Sequence, residues 1–296
     1  MGFLRLCLMA TSAAKTVATF RTVQVSIMIK KTLDILQTKY GLQLDQIFFE
    51  DVRIGIYKTA VHISGNRYGV AGTYQARPGD YKYRTNRDST PFSTNHILGQ
   101  SVAQLFQTPS SPIVDNLKVA TLNALSADIL QHADYQVVTD KDPIDLVDLS
   151  GQKTISIIGA FRSYIQRIGA TAHTMHIVEL RPEAIPPAYR SHYVPAHQVG
   201  DVLPQSDLVI ITGSTLVNQS LADIVRYLPQ SGTTVLVGPS SSFIPDVLFE
   251  QGINIIGATE IVHPKKMLQI VSEAGTGFHF FRYCARKICI LNERTR

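Results

Sequence analysis

From Gln152 onward the chain repeats one rhythm, and that rhythm restricts the fold more than any other feature: a short apolar β-branched run, a tight polar turn, then apolar residues at helical spacing. The pattern predicts strands over Thr154–Ile158, His173–Leu180, Leu208–Ile211, Thr233–Val237 and Ile253–Ile256, with a last strand at Ile288–Leu291. Helices are expected over Phe161–Ile168, Leu216–Val225, Phe243–Gln251 and Pro264–Glu273, and a Pro-rich loop, Pro182–Pro195, precedes the third strand. Strands that alternate with helices form a parallel sheet covered on both faces. The expected class is α/β, with a Rossmann-like domain over residues 152–296.

The stretch Asp207–Val225 is the centre of this domain. Its turn, Thr212-Gly213-Ser214-Thr215, lies at the carboxyl end of a buried strand, where open α/β sheets place ligands. Its hydroxyls either cap the following helix or hold a polar group. Gly238-Pro239-Ser240-Ser241-Ser242 is a second such turn. It lacks the Gly-x-Ser-x-Gly elbow that exposes a nucleophile, and no lysine stands beside Gly213-Ser214-Thr215 as a phosphate loop requires. The first turn, from Gly159, has one of the three glycines of a dinucleotide fingerprint. Glu179 ends the second strand, where such folds place a ribose-binding acid; it either binds a ligand or serves its own loop.

The earlier part reads differently. Residues 29–40 form a helix stopped by Gly41. Val52–Tyr57, Thr59–Ser64 and Tyr68–Thr73 are short alternating runs, an antiparallel meander, and helices are expected over Asn95–Gln107 and Ile113–Leu130. Strands followed by helices make residues 28–132 a small α+β domain. Residues 76–93 read as a loop, either a flap over a site or a solvated segment. Residues 133–151, rich in Asp, read as a linker.

Composition excludes several classes. The chain carries 28 Lys and Arg against 23 Asp and Glu, a net charge of +5, and Arg5, Lys15 and Arg21 supply three of these charges in the first 27 residues. The body is therefore only mildly basic and does not argue for nucleic acid. No apolar run reaches the roughly 20 residues that span a bilayer. Three cysteines, with no CxxC pair, point to a reducing compartment, and the expected location is cytoplasmic. His173 and His176 stand three apart on one strand and cannot chelate one ion together, and His192 and His197 lack acids at ligand spacing, so no metal residue is assigned. Residues 1–27 resemble a secretory signal only in part. They read as an extension outside the fold, with Met28 the working initiator.

The strings VIITGSTLVNQSL (Val209–Leu221), VLVGPSSSFIPDVLFEQGINIIGATEI (Val235–Ile261) and IIGAFRSYIQRIGATAHTMHIVELRPEA (Ile157–Ala184) resemble the C-terminal domain of the heavy-metal-chelation family, a bacterial and archaeal family. YGVAGTY (Tyr68–Tyr74) and ATLNAL (Ala120–Leu125) resemble the enolase-N-terminal-like domain that precedes it. The resemblance implies a site between the two domains and a role in heavy-metal chelation, or in making a pterin-, flavin- or siderophore-like chelator. By position it implies a pocket of Gly159, Glu179, Thr212, Gly213, Ser214, Thr215, Asn218, Gly238 and Pro239, with Asn123 reaching in from the first domain. Glu179 is the one acid/base candidate in this set. Lys118 stands where a glycine is expected, which bears on the first-domain contribution.

Hydroxyls, amides and one acid suit an organic ligand that itself carries the metal better than a bare ion, which needs several soft or charged ligands. The partner expected is thus a small molecule, in free or metal-bearing form, with no cofactor assigned. The alternatives are a non-catalytic metal-complex carrier and a nucleoside-cofactor, methyltransferase-like enzyme.

Overall fold

The computed structural model describes residues 27–74 and 92–293. The expectations for the N-terminal extension before Ile27 and for most of the 76–93 loop lie outside these residues.

The first sheet has three antiparallel strands: β1 (Phe49–Ile54), β2 (Lys58–Ile63) and β3 (Arg67–Gly72). It follows α1, over 27–38. The first strand begins three residues earlier than its alternation predicts and also ends earlier. The reason for the early end is the turn after it: the Gly55 N–H donates to the Lys58 carbonyl at 2.9 Å, so Gly55, Ile56 and Tyr57 connect the strands. Next come α2 (Val102–Gln107) and α3 (Pro112–His132). The helix expected from Asn95 starts only at Val102. Asn95 and Gly99 have φ of 69° and 79°, outside the helical region, and the Ser101 side chain caps α2 by accepting from the Gln104 N–H at 3.2 Å. Ser111 caps α3 in the same way, and Pro112 takes the first position, where its missing N–H costs nothing.

The second sheet has eight strands. They are β4 (Gln136–Thr139), β5 (Thr154–Ile158), β6 (Thr174–Glu179), β7 (Tyr193–Pro195), β8 (Leu208–Thr212), β9 (Thr233–Val237), β10 (Ile255–Ile261) and β11 (Ala285–Leu291). Their spatial order is β4-β11-β10-β9-β8-β5-β6-β7. The six strands from β10 to β7 are mutually parallel, and β11 runs antiparallel to both of its neighbours. Counted from β5, the parallel strands follow the doubly wound order, with the reversal between β5 and β8. The helices that connect them are α4 (Arg162–Gly169), α5 (Val199–Val202), α6 (Ser214–Val217), α7 (Leu221–Ile224), α8 (Asp246–Glu250), α9 (Pro264–Ser272) and α10 (Gly277–Tyr283). The chain is an α/β protein with a mostly parallel sheet flanked by helices.

Four expectations need correction. The stretch 133–151, read as a linker, contributes β4, which pairs with β11 from Gln136–Leu291 to Thr139–Ile288. Its four residues are too few to show a period. The loop at 182–195 ends in β7, an edge strand whose Pro195 masks it in sequence. The helix after the focal strand is broken into α6 and α7: Gln219 has φ of 61°, and the Asn218 Oδ1 accepts from the Ser220 N–H and hydroxyl at 3.1 and 2.7 Å. The helix expected from Phe243 begins only after Pro245.

One continuous core crosses between the sheets. It contains Val61, Ile63 and Ala71 of the meander, Leu117 and Leu122 of α3, and Leu236, Ile256 and Ile290 of the large sheet. A polar tie supports it: the Tyr135 hydroxyl donates to the Asp246 carboxylate at 2.6 Å and lies 3.0 Å from the Tyr40 hydroxyl. Burial and these contacts hold the Tyr135 phenol well above its ordinary pKa.

The meander packs on α3 through Gly69. A Cβ there would lie 2.1 Å from the Ala120 carbonyl oxygen and 2.5 Å from the Ala124 nitrogen, both helix backbone that cannot yield. Gly69→Ala is expected to cost about 3 kcal/mol in urea unfolding. Gly277→Ala, with nothing within 4 Å of the added Cβ, is expected to stay within about 0.5 kcal/mol of the parent. Equal effects for the two would contradict this packing.

Candidate functional site

The turns at the carboxyl ends of the parallel strands form one row. Gly159, with φ of 101°, ends β5, and a Cβ on it would lie 2.9 Å from the Thr212 Cγ2. Only glycine fits this approach between the first and fourth strands of the winding. Next in the row, the Gly213 N–H donates to the Val237 carbonyl at 2.7 Å, and the Gly238 N–H donates to the Gly257 carbonyl at 2.9 Å. Gly238 has φ of 137°, and its Cα lies 3.6 Å from the position of a Cβ on Gly213.

Most of the polar groups in this row are engaged locally. The Thr215 hydroxyl donates to the Thr212 carbonyl at 2.7 Å, and the Thr212 hydroxyl accepts from the Ser214 N–H at 3.3 Å. Asn218 closes the turn before α7 by accepting from the Ser220 N–H and hydroxyl. The Ser241 hydroxyl donates to the Gly238 carbonyl at 2.7 Å, and the Ser242 hydroxyl donates to the Pro239 carbonyl at 3.0 Å while accepting from the Thr259 N–H at 2.9 Å. Ser214 is exposed at the head of α6.

Glu179 caps three main-chain groups. Its Oε2 accepts from the Ala160 N–H at 2.9 Å, and its Oε1 accepts from the Leu180 and Arg181 N–H groups at 2.7 and 3.2 Å. The carboxylate thus ties the first turn to the second strand. The sequence places it correctly at the strand end, but the partners it finds there are amides.

The first sheet docks on this row at Gly72. Its N–H donates to the Ser240 Oγ at 2.9 Å, and a Cβ on it would lie 3.7 Å from the Ser214 Oγ. Beside this contact stands Asn123 of α3, 3% exposed. Its Nδ2 donates to the Val70 carbonyl at 2.7 Å and to the Pro239 carbonyl at 2.8 Å, one in each half of the molecule. Its Oδ1 is buried and has no partner among the described residues. Lys118, earlier on α3, sends its ammonium to the Thr108 carbonyl at 2.7 Å and does not interfere.

Beside Asn123, the two halves line a cavity of about 510 Å³. Its walls come from β3, the second half of α3 and the β10–β11–β4 side of the large sheet. Its polar lining includes Arg67, Asp128, His132, Thr259, Glu260 and Arg286. Glu260 and Arg286 form a two-pronged ion pair, with Nε and Nη2 donating at 2.6 and 2.9 Å. Arg67 lies 3.9 Å from Asp128. Of the residues expected at the site, only Asn123 reaches this cavity, and Pro239 lies behind it as a hydrogen-bond partner. The cavity escaped the sequence reading because its walls come from segments far apart in the chain; Asn123, one of several buried polar residues of α3, was the one signal the expected site shared with it.

Among the described residues, no group of three or more His, Cys, Asp and Glu side chains is disposed to hold a metal ion, and no helix is long and apolar enough to cross a membrane. Cys284 and Cys289 are free and buried, and burial pushes their thiols up to about 11 and about 12, away from reactivity at neutral pH.

The sequence pattern of the family DUF364, described as "Putative heavy-metal chelation", matches residues 142–290. The chain belongs to this family. A DUF364 protein of unknown function from Pyrococcus horikoshii superposes with a TM-score of 0.70 at 20% identity, covering 91% of this chain and 100% of that one. A second, from Desulfitobacterium hafniense, gives a TM-score of 0.63 at 18% identity, covering 89% and 99%. These two family structures share the fold across both sheets. An uncharacterized protein of Methanocaldococcus jannaschii is 30% identical over 79 residues, which are 27% of this chain and 30% of that protein, so the match spans less than a third of the relative's length. The DUF364 match lies in the large-sheet part. The likeness of the first sheet and its helices to an enolase N-terminal domain stays an expectation.

The role of Glu179 is open to a direct check. Glu179→Ala is expected to lower stability by about 1–3 kcal/mol and to speed hydrogen exchange at the Ala160, Leu180 and Arg181 amides. Glu179→Gln, which keeps one acceptor oxygen, should fall between. Unchanged exchange at all three amides would contradict the assignment.

Proposed function

We propose that the protein binds a small polar molecule in the cavity between its two halves, and that its link to heavy-metal chelation runs through an organic chelator or chelator precursor. The observation that carries this reading is Asn123. Its amide nitrogen is spent on fastening the halves together, and its carbonyl oxygen is left buried beside the cavity. An unsatisfied buried acceptor costs about 1–3 kcal/mol, and a ligand N–H or O–H that reaches it removes the cost. The volume lies in the roughly 300–1,000 Å³ range of small-molecule sites.

The lining favours a ligand with both donors and acceptors. Arg67 and Arg286 present donors, Asp128 and Glu260 present acceptors, and His132 serves as either. A pterin-, flavin- or siderophore-like compound has this mixed edge chemistry. In this reading the Thr212–Thr215 and Gly238–Pro239 turns, with Gly159 and Asn218, build the frame on which the first sheet rests. A nucleoside-cofactor enzyme would need the Glu179 carboxylate for a ribose, and its bonds to three amides weigh against that role. The titratable groups that line the cavity include Asp128, His132 and Glu260, and any proton transfer to a ligand there falls to them rather than to Glu179.

Thermal-shift measurements on the full chain with a pterin, a flavin, S-adenosylmethionine and divalent metal ions test the proposal. A pterin or flavin is expected to raise Tm, and Glu260→Gln and Asn123→Ala should each diminish the rise. Asn123→Ala should also cost about 1–3 kcal/mol without ligand. Stabilisation by metal ions alone, or a rise that both variants retain in full, would overturn the reading.

A further inference from the structure

The contact between the halves has a second polar side, across the Gly72–Ser240 bond from the cavity, and it contains a lysine with no counter-charge among the described residues. Lys58 opens β2 and stands directly opposite Gly72 in the β2–β3 register. Opposed residues in an antiparallel pair point to the same face with Cβ atoms about 5 Å apart. The Cβ direction at Gly72 leads to the Ser240 and Ser214 hydroxyls, at 3.4 and 3.7 Å. Lys58 therefore leaves its strand toward the row of strand-end turns, and because its neighbour is glycine no side chain at position 72 separates it from Ser214.

Ser240 is occupied by the Gly72 N–H, while the Ser214 hydroxyl has no hydrogen bond among the described residues. Lys58 is partly shielded from solvent, and its ammonium has neither an ion pair nor a hydrogen bond with any described residue. Burial pushes its pKa below the ordinary lysine value, and no charge among the described residues offsets this. A desolvated cation without a partner is destabilising. A methionine would cover the same apolar surface without that cost. Among the described residues neither group has what an anionic oxygen would provide, an acceptor for the ammonium and an acceptor for the hydroxyl.

We propose that Lys58 and Ser214 form an oxyanion subsite at the junction of the two sheets, where a carboxylate or phosphate group of a ligand supplies the missing counter-charge. The subsite stands on Lys58, Gly72 and Ser214 and is independent of the cavity reading. A charge-assisted hydrogen bond from the ammonium is the main attachment, and the hydroxyl is the second donor.

Isothermal titration calorimetry of the full chain at low ionic strength, with inorganic phosphate and with acetate as separate probes, tests this. Saturable binding of at least one probe is expected, and which one binds decides between phosphate and carboxylate. Lys58→Met should weaken it by about tenfold or more, Lys58→Arg by less, and Ser214→Ala by a few-fold. Lys30→Met, at an exposed lysine of α1, should leave it unchanged. Lys58→Met should also have a Tm in anion-free buffer at or above that of the parent. If Lys58→Met does not fold, the exposed Ser214→Ala variant decides the matter. Binding of neither probe, or binding that is unaltered in Lys58→Met and Ser214→Ala, would overturn the proposal.

Discussion

The molecule depends on a short seam in which side chains of one half hold main-chain groups of the other. Asn123 clamps the Val70 and Pro239 carbonyls with a single amide nitrogen, and Ser240 receives the Gly72 N–H. Buried main-chain groups need partners, so edges of this kind normally pair within one sheet. Here β3 finds part of its pairing in a turn 168 residues later in the sequence. The seam is short: the Gly72 N–H reaches the Ser240 Oγ directly at 2.9 Å, and no side chain at position 72 stands between them.

Two consequences follow from where the seam lies. It separates the hollow beside β10 and β11 from the strand-end turns of β5 and β8. It also fixes what each strand-end turn does. The three serines after Gly238 act as joints: one bonds the first sheet, one closes its own turn, and one receives the Thr259 N–H. A turn bound in this way from both sides is rigid, which suits a wall between two binding surfaces. The position fits the general rule that α/β sheets use the carboxyl ends of their strands, with the hollow displaced from the β5–β8 reversal toward the far strands.

The parallel part of the fold was legible because buried strands such as Leu208–Thr212 and Thr233–Val237 are near-continuous runs of β-branched residues bounded by glycine. The breaks were less so. Whether Leu216–Val225 forms one helix or two depends on Asn218 capping its own chain, and nothing in the apolar spacing reports it. Strands β4 and β7 are short edge strands, identifiable only through their partners. At the site, the sequence singled out the strand-end turns and Asn123, but hydroxyls that bind a ligand and hydroxyls that satisfy a turn have the same spelling. Glu179 illustrates this: its place at the strand end was plain, whereas its three amide partners were set by the geometry of Gly159 and Leu180. Lys58 drew no notice in the sequence because a lysine at the head of a strand is ordinarily solvated.

Both halves share one core and one seam, and from this it follows that neither is stable alone. Hydrogen exchange followed by mass spectrometry through a urea series measures this directly, by comparing the β2–β3 peptides with the β8–β9 peptides. The expected result is the same opening free energy and the same urea dependence for both, and a joint fall when Asn123 is replaced by Ala. Separate transitions, with β8–β9 protection untouched by Asn123→Ala, would contradict it.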